Sequence, residues 1–378
     1  MKIIALLLTI FSLFNFSFAK CDSQKSDYIF YDGEIKNIFI HSLIAYPEIL
    51  QTKSKYTIST YHTDCIDYIE FENLLTELYK NNYVLVDIHK IFTTQDGTAK
   101  KCKVKVPNGK KPVVIGVDDV VYDPRKSGNG MVDKLCVDHE GKIYTETLVD
   151  GKIDKKYDRE FVCVLENFLT LHPNFSPFKD KLTINLTGFC GVLGYRISDK
   201  DKYKREQETK DAKVVVEKLK QLGYTFACHS YGHYHTKKAS IEFIKNDLAD
   251  WKEYIEPVIG KTQVFVYPYG EWELVNGDKL SYKQQLLIDF GFKLFLGVGI
   301  YDFYGYMPLN NNIKQKVLFA DRKPVDGYTL IHRQKEFDEM FDCNKVLSNF
   351  AKQRQNTVCW HKKEPFWRVL YIKQDWNL

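Results

Sequence analysis

Two adjacent carboxylates, Asp118 and Asp119, close an almost unbroken apolar run, PVVIGVDD. Ionised neighbours at the end of a buried strand repel each other and are costly unless a cation lies close by. Farther along, His229 and His233 follow the strand-like YTFAC at a spacing of i and i+4. On a helical turn that spacing sets both imidazoles on one side. One carboxylate and two imidazoles make a facial set for a divalent ion, with positions left open for water and substrate. Such an ion lowers the pKa of water and polarises a carbonyl. The second aspartate, beside it, can then take the water's proton. A third strand-like run, TQVFVYPYG, ends in Pro268-Tyr269-Gly270. In a chain with 10 His the H-x-x-x-H pair says little alone. It gains weight from the two other strand ends.

For three strand ends to meet, the elements between them must return the chain to one side. The sequence predicts such a rhythm. NIFIHSLI, from residue 36, reads as a strand, EFENLLTELYK (70–80) as a helix and YVLVDI as the next strand. TKDAKVVVEKLKQL (209–222) is an amphipathic helix with Gly223 at the C-cap position. A second helix over about 240–257 ends near Pro257 and Gly260, and QQLLIDFGFKLFLGVG repeats helix, glycine, strand. Alternating strands and helices imply parallel βαβ units, and their number favours a (β/α) barrel. Residues 120–163 break the rhythm with short alternating runs around HEG and DG, read as an inserted β-meander. DLADW (247–251) reads as ordinary amphipathic helix, and His235 as facing away from the histidine pair.

Composition bounds the partners. Lys plus Arg number 54 against 49 Asp plus Glu, a formal charge of +5 with no basic arm, so nucleic acid is not expected. Lys2, the apolar run Ile3 to Phe14, and small residues at Ser17 and Ala19 form a secretory signal peptide. The expected layout is a signal peptide (1–19), a barrel domain (20–340) and a C-terminal tail (341–378) packing on the barrel. The expected destination is secreted, after cleavage near Ala19. No other run approaches ~20 apolar residues, so no stable membrane anchor is expected. Lys20 before Cys21 disfavours lipidation. Nine cysteines in an exported chain permit disulfides, the odd number leaving at least one without an intrachain partner. Asn174 and Asn185 head glycosylation sequons. The sequence sets no oligomeric state.

The motifs GVDDV, HSYGH and VYPYG, in that order, resemble the polysaccharide deacetylases with a NodB-homology domain. FIHSL followed by FENLLTELYKNNY also looks like the exported members acting on poly-N-acetylglucosamine. The resemblance spans roughly 36–335, and His-Ser-x-x-His is its most specific part. It implies a distorted barrel of seven or eight parallel strands. It implies that Asp119, His229 and His233 hold the metal, usually zinc, with cobalt or nickel as alternatives. Asp118 would be the general base, and the backbone amide of Tyr269 would help hold the oxyanion. The family's late Leu-x-His matches His332 in TLIHR as general acid; His41, ending the first strand, is its rival. Two departures stand out. Val120 replaces the glycine after the carboxylates, and Val266 replaces the arginine that would orient Asp118. Arg196 is the candidate substitute. The implied function is removal of N-acetyl groups from an N-acetylglucosamine-containing polysaccharide or oligosaccharide (chitin, peptidoglycan or poly-N-acetylglucosamine). Hydrolysis of a non-sugar amide and glycan binding without turnover are the alternatives.

Overall fold

A computed structural model describes residues 27–198, 200–271, 281–299, 310–312 and 316–352. The expected signal peptide (1–19), Cys21 and the end of the expected tail lie outside the described residues. Seven parallel strands close a ring in chain order: β1 (Lys36–His41), β2 (Lys111–Asp118), β3 (Thr183–Leu186), β4 (Thr225–Cys228), β5 (Val264–Val266), β6 (Leu294–Val298) and β7 (Val317–Pro324). β7 returns to β1 through the register Lys323↔Ile38, which completes the barrel. The expected α/β barrel is therefore present, with seven strands in the ring. The strand predicted in YVLVDI forms as Tyr83–Leu85 outside it, pairing with the first half of β2, whereas β3 pairs with the second half. That wedge is the distortion.

Each crossover follows its local pattern. Tyr68–Lys80 starts at a capping box between Asp67 and Glu70 and buries Phe71, Leu74, Leu75 and Leu78. Lys202–Leu222 ends at Gly223, whose φ of 102° is the left-handed C-cap expected of it. The predicted helix over 240–257 runs as Ile241–Asp250, then a π-turn through Ile255, then Glu256–Ile259. The insertion after β2 is a three-stranded antiparallel meander, Lys134–Val137, Ile143–Val149 and Lys152–Lys156. Residues 341–352 lie on helix Tyr68–Lys80, where Asn73 Nδ2 donates to the Val346 carbonyl at 3.1 Å.

Strand alternation sorts the core. Val113, Ile115 and Val117 of β2 join the layer under the helices, while Val114 joins an inner cluster with Val264, Val266, Leu294, Leu296, Leu318 and Ala320. Phe92, Ala99, Val104 and Val106 belong to the same inner cluster and plug the barrel beneath the strands' N-terminal ends. The inner face thus turns from apolar at one end to polar at the other. Its upper layer is where Asp118 and His229 emerge.

Among the described residues, cysteines 102, 136, 163, 190, 228 and 343 are free thiols. No helix among them is long and apolar enough to cross a membrane.

Candidate active site

Asp118 is the last residue of β2 and points into the barrel, fully buried. Strict alternation would send Asp119 the opposite way. Instead Asp119 adopts φ 57°, a left-handed conformation that swings its carboxylate back. Asp119 Oδ1 then lies 3.7 Å from His229 Nε2 and 3.2 Å from His233 Nε2. Asp118 Oδ2 stands 3.8 Å from the same His229 nitrogen. The left-handed residue is Asp119, one before the position where a glycine was expected; Val120 is not among the residues with positive φ.

His229 and His233 come from an irregular loop after β4, not from the helical turn that their spacing predicts. Left-handed residues at Ser230 and His233 shape this loop, and the rings still meet, with centroids 5.0 Å apart. His229 Nδ1–H donates to the Val266 carbonyl at 2.9 Å, so its Nε2 lone pair faces the site. His233 Nδ1 lies 3.2 Å from the Tyr269 hydroxyl, which donates to the His233 carbonyl at 3.4 Å. Tyr269 itself sits at φ 60° in the Pro268–Gly270 turn. Non-glycine residues in such conformations cost about 1–3 kcal/mol each and collect at functional sites.

Electrostatics supports the ligand reading. Burial lowers the His233 imidazole to about 4, against the opposing pull of Asp119. Burial alone would raise the Asp119 carboxyl, but His233 and His229 outweigh it and hold it below the usual carboxylate range. A carboxylate and two imidazoles are the donor set a divalent ion takes, and the ion displaces any proton the rings carry. The ligand atoms of Asp119, His229 and His233 lie within 4.8 Å of one another, close enough to converge on one ion. The residues fit a metal.

Asp118 has different company. Arg322, from β7, donates Nη1 to Oδ1 at 2.7 Å and Nη2 to Oδ2 at 2.9 Å. Asn185 Nδ2 adds a bond to Oδ1 at 2.6 Å. Burial works to raise this carboxyl, yet Arg322 and His229 hold it below its ordinary value. Gly116 makes the arrangement possible, because a Cβ there would lie 2.7 Å from Asn185 Nδ2. Arg322 does for Asp118 what was expected of Arg196. Arg196 instead donates to the backbone carbonyls of Cys190 at 2.5 Å and Tyr122 at 2.6 Å, bracing the loop beyond Asp119. Asn185 is only 1 % exposed, so in the folded chain it offers no glycosylation acceptor.

The two histidines considered as general acid part company. His41 closes β1 directly opposite Asp118 in the parallel register. Its Nδ1–H donates to the Asp64 carbonyl at 2.8 Å. His332 is exposed at the C-terminal end of helix Gly327–His332, beside Tyr328. His235, expected to face away, stacks on Tyr269 with ring centroids 3.7 Å apart. The sequence reading gave no role at the site to Asn185, Arg322 or Asp247. Asn185 and Arg322 are each polar within an otherwise buried strand, which is a signal, whereas Asp247 sits on an amphipathic helix with exposed positions and carries none.

A family model described as polysaccharide deacetylase matches residues 185–287. No curated protein matches the chain. Among solved structures, a Streptococcus pyogenes deacetylase in complex with acetate is 13 % identical, with a TM-score of 0.43, over 79 % of this chain and 94 % of that one. A Bacillus cereus polysaccharide deacetylase is 12 % identical, also at 0.43, over 86 % of this chain and 69 % of that one.

Proposed function

We propose, from the match of residues 185–287 to the polysaccharide deacetylase family, that the chain is a member of that family and removes N-acetyl groups from an N-acetylglucosamine-containing polysaccharide, using a divalent ion, zinc foremost. The observation that carries this reading is the convergence of Asp119, His229 and His233 within 4.8 Å, with Asp118 directly beside them. When bound, the ion supplies Lewis acidity to water and to the acetamide carbonyl.

The chain's own residues divide the remaining work. Asp118, aimed by Arg322 and Asn185, accepts the proton of the attacking water at Oδ2, the oxygen nearer His229. The Tyr269 backbone amide donates to the oxyanion as the carbonyl becomes tetrahedral. His41 gives a proton to the departing nitrogen as the C–N bond breaks, which leaves acetate and a free amine. His41 is preferred to His332 because it shares Asp118's layer of the barrel. We further propose that the chain acts outside the cell after loss of residues 1–19, on the charge and apolar pattern of that segment.

Zinc-loaded protein should release acetate from at least one of chitin oligomers, peptidoglycan and poly-N-acetylglucosamine. Elemental analysis should find one ion per chain. Absence of release from all three substrates by metal-loaded protein would overturn the reading. Mass spectrometry of the exported protein's N-terminus tests the cleavage.

A further inference from the structure

The loop that carries the two histidines has neither a helix nor a strand ladder to hold it, and two of its residues, Ser230 and His233, are left-handed at φ 57° and 49°. Its shape has to be enforced by its surroundings. On one side, the Phe189 amide donates to the Tyr231 carbonyl at 2.8 Å. On the other stands Asp247, from helix Ile241–Asp250. Its Oδ2 accepts the Tyr231 amide at 3.0 Å and its Oδ1 accepts the Gly232 amide at 2.6 Å. The residue at 232 is a glycine, and a Cβ there would come within 3.1 Å of Asp247 Oδ1.

We propose that Asp247 is a positioning residue for the metal ligands: by gripping two successive amides between His229 and His233, it sets the separation and aim of both imidazoles. The proposal rests on the reading of Asp119, His229 and His233 as the ligand set. Only a carboxylate fits the task, since two N–H donors need two acceptor oxygens, and an asparagine offers one. Asp247 is 4 % exposed, between the buried Ile244 and Leu248 of the same helix. Burial pushes its carboxyl up to about 7. An apolar residue would serve the helix face at no such desolvation cost, so the carboxylate answers a need of the loop.

The test is zinc affinity of the full-length chain, measured on stripped protein against a competing chelator, beside the melting temperature of the metal-free form. Asp247→Asn keeps the side chain's shape but sets an N–H₂ donor against an amide N–H. It should weaken zinc about 10- to 100-fold, the range found when outer partners of metal ligands are removed. Ser240→Ala is the control. It removes the N-cap of the same helix, where Ser240 Oγ accepts the Phe243 amide at 3.1 Å, and should lower the melting temperature with zinc affinity unchanged. Wild-type zinc affinity in Asp247→Asn overturns the proposal. So does a Ser240→Ala variant that loses as much affinity, because helix stability would then account for the effect. If wild-type protein fails to bind zinc, or His229→Ala binds it as well as wild type, the ligand reading falls and the proposal goes with it.

Discussion

Arg322 holds Asp118 through two parallel bonds, Nη1 to Oδ1 at 2.7 Å and Nη2 to Oδ2 at 2.9 Å, across 204 residues of sequence. Both side chains are buried, and the guanidinium lies 4.1 Å above the ring of Phe39. A bidentate clamp fixes the plane of the carboxylate as well as its charge. The oxygen nearer His229 is therefore held in one orientation.

Removing the clamp should cost stability. Arg322→Met keeps much of the volume but leaves a buried carboxylate with the Asn185 hydrogen bond and the more distant His229 ring. Breaking a buried pair from one side typically costs about 3–5 kcal/mol, which a denaturant titration will read. Lysine cannot reproduce the fork, so Arg322→Lys should recover little turnover. A variant as stable and as active as wild type would remove Arg322 from the argument.

The two neighbouring aspartates should fail differently. Asp119→Ala removes a ligand and should lose bound metal and turnover together. Asp118→Asn leaves the three ligands intact and should keep its metal, while the rate falls about 10²- to 10⁴-fold as the proton acceptor disappears. Elemental analysis beside acetate release separates the cases. A metal-free Asp118→Asn would reverse the division of labour.

His41 and His332 give a second paired comparison. His41→Gln should lower kcat by about 10²-fold or more, with metal content unchanged. His332→Ala, on an exposed helix end, should leave kcat within a factor of about two, since surface substitutions of this kind have small effects. The opposite ranking would return the acid's role to the motif position.

Glu160 makes stability depend on pH. It is fully buried at the start of helix Glu160–Leu171, at φ 62°, and accepts the amides of Leu43 and Phe161. Burial raises its carboxyl from 4.5 to about 8, against those two hydrogen bonds. Between these values the folded chain keeps a proton that the unfolded chain has released. This contribution is complete below about 4.5 and is lost as pH rises through about 8, at no more than about 1.4 kcal/mol per pH unit. Glu160→Gln should flatten that slope in denaturation measured between pH 5 and 9. An unchanged slope would show that other groups set it.

Much of this protein can be read locally. The barrel's strands and helices follow from apolar period and caps, as at Asp67 and Gly223, because such signals act over a few residues. The metal-binding candidates were legible for the same reason, each lying at the end of a strand-like run. The helical turn predicted for His229 and His233 failed because spacing alone carries no backbone conformation. Left-handed residues at Ser230 and His233 reached the same convergence by another path. At Asp119 one left-handed residue likewise departs from the alternation of an extended strand, which no residue type in the run announces.

The sequence by itself determined which residue types were available, the order of the strands and which strand ends carried titratable groups. Only the closed barrel decided which distant side chains serve them. Arg322, Asn185 and His41 surround Asp118 because β7, β3 and β1 return to the neighbourhood of β2. Asp247 grips the histidine loop because its helix packs back across that loop. No local period records such contacts. They arise from ring closure, which brings inward-facing positions of separate strands to one level, and a buried carboxylate is stable there only where that closure also delivers its donors.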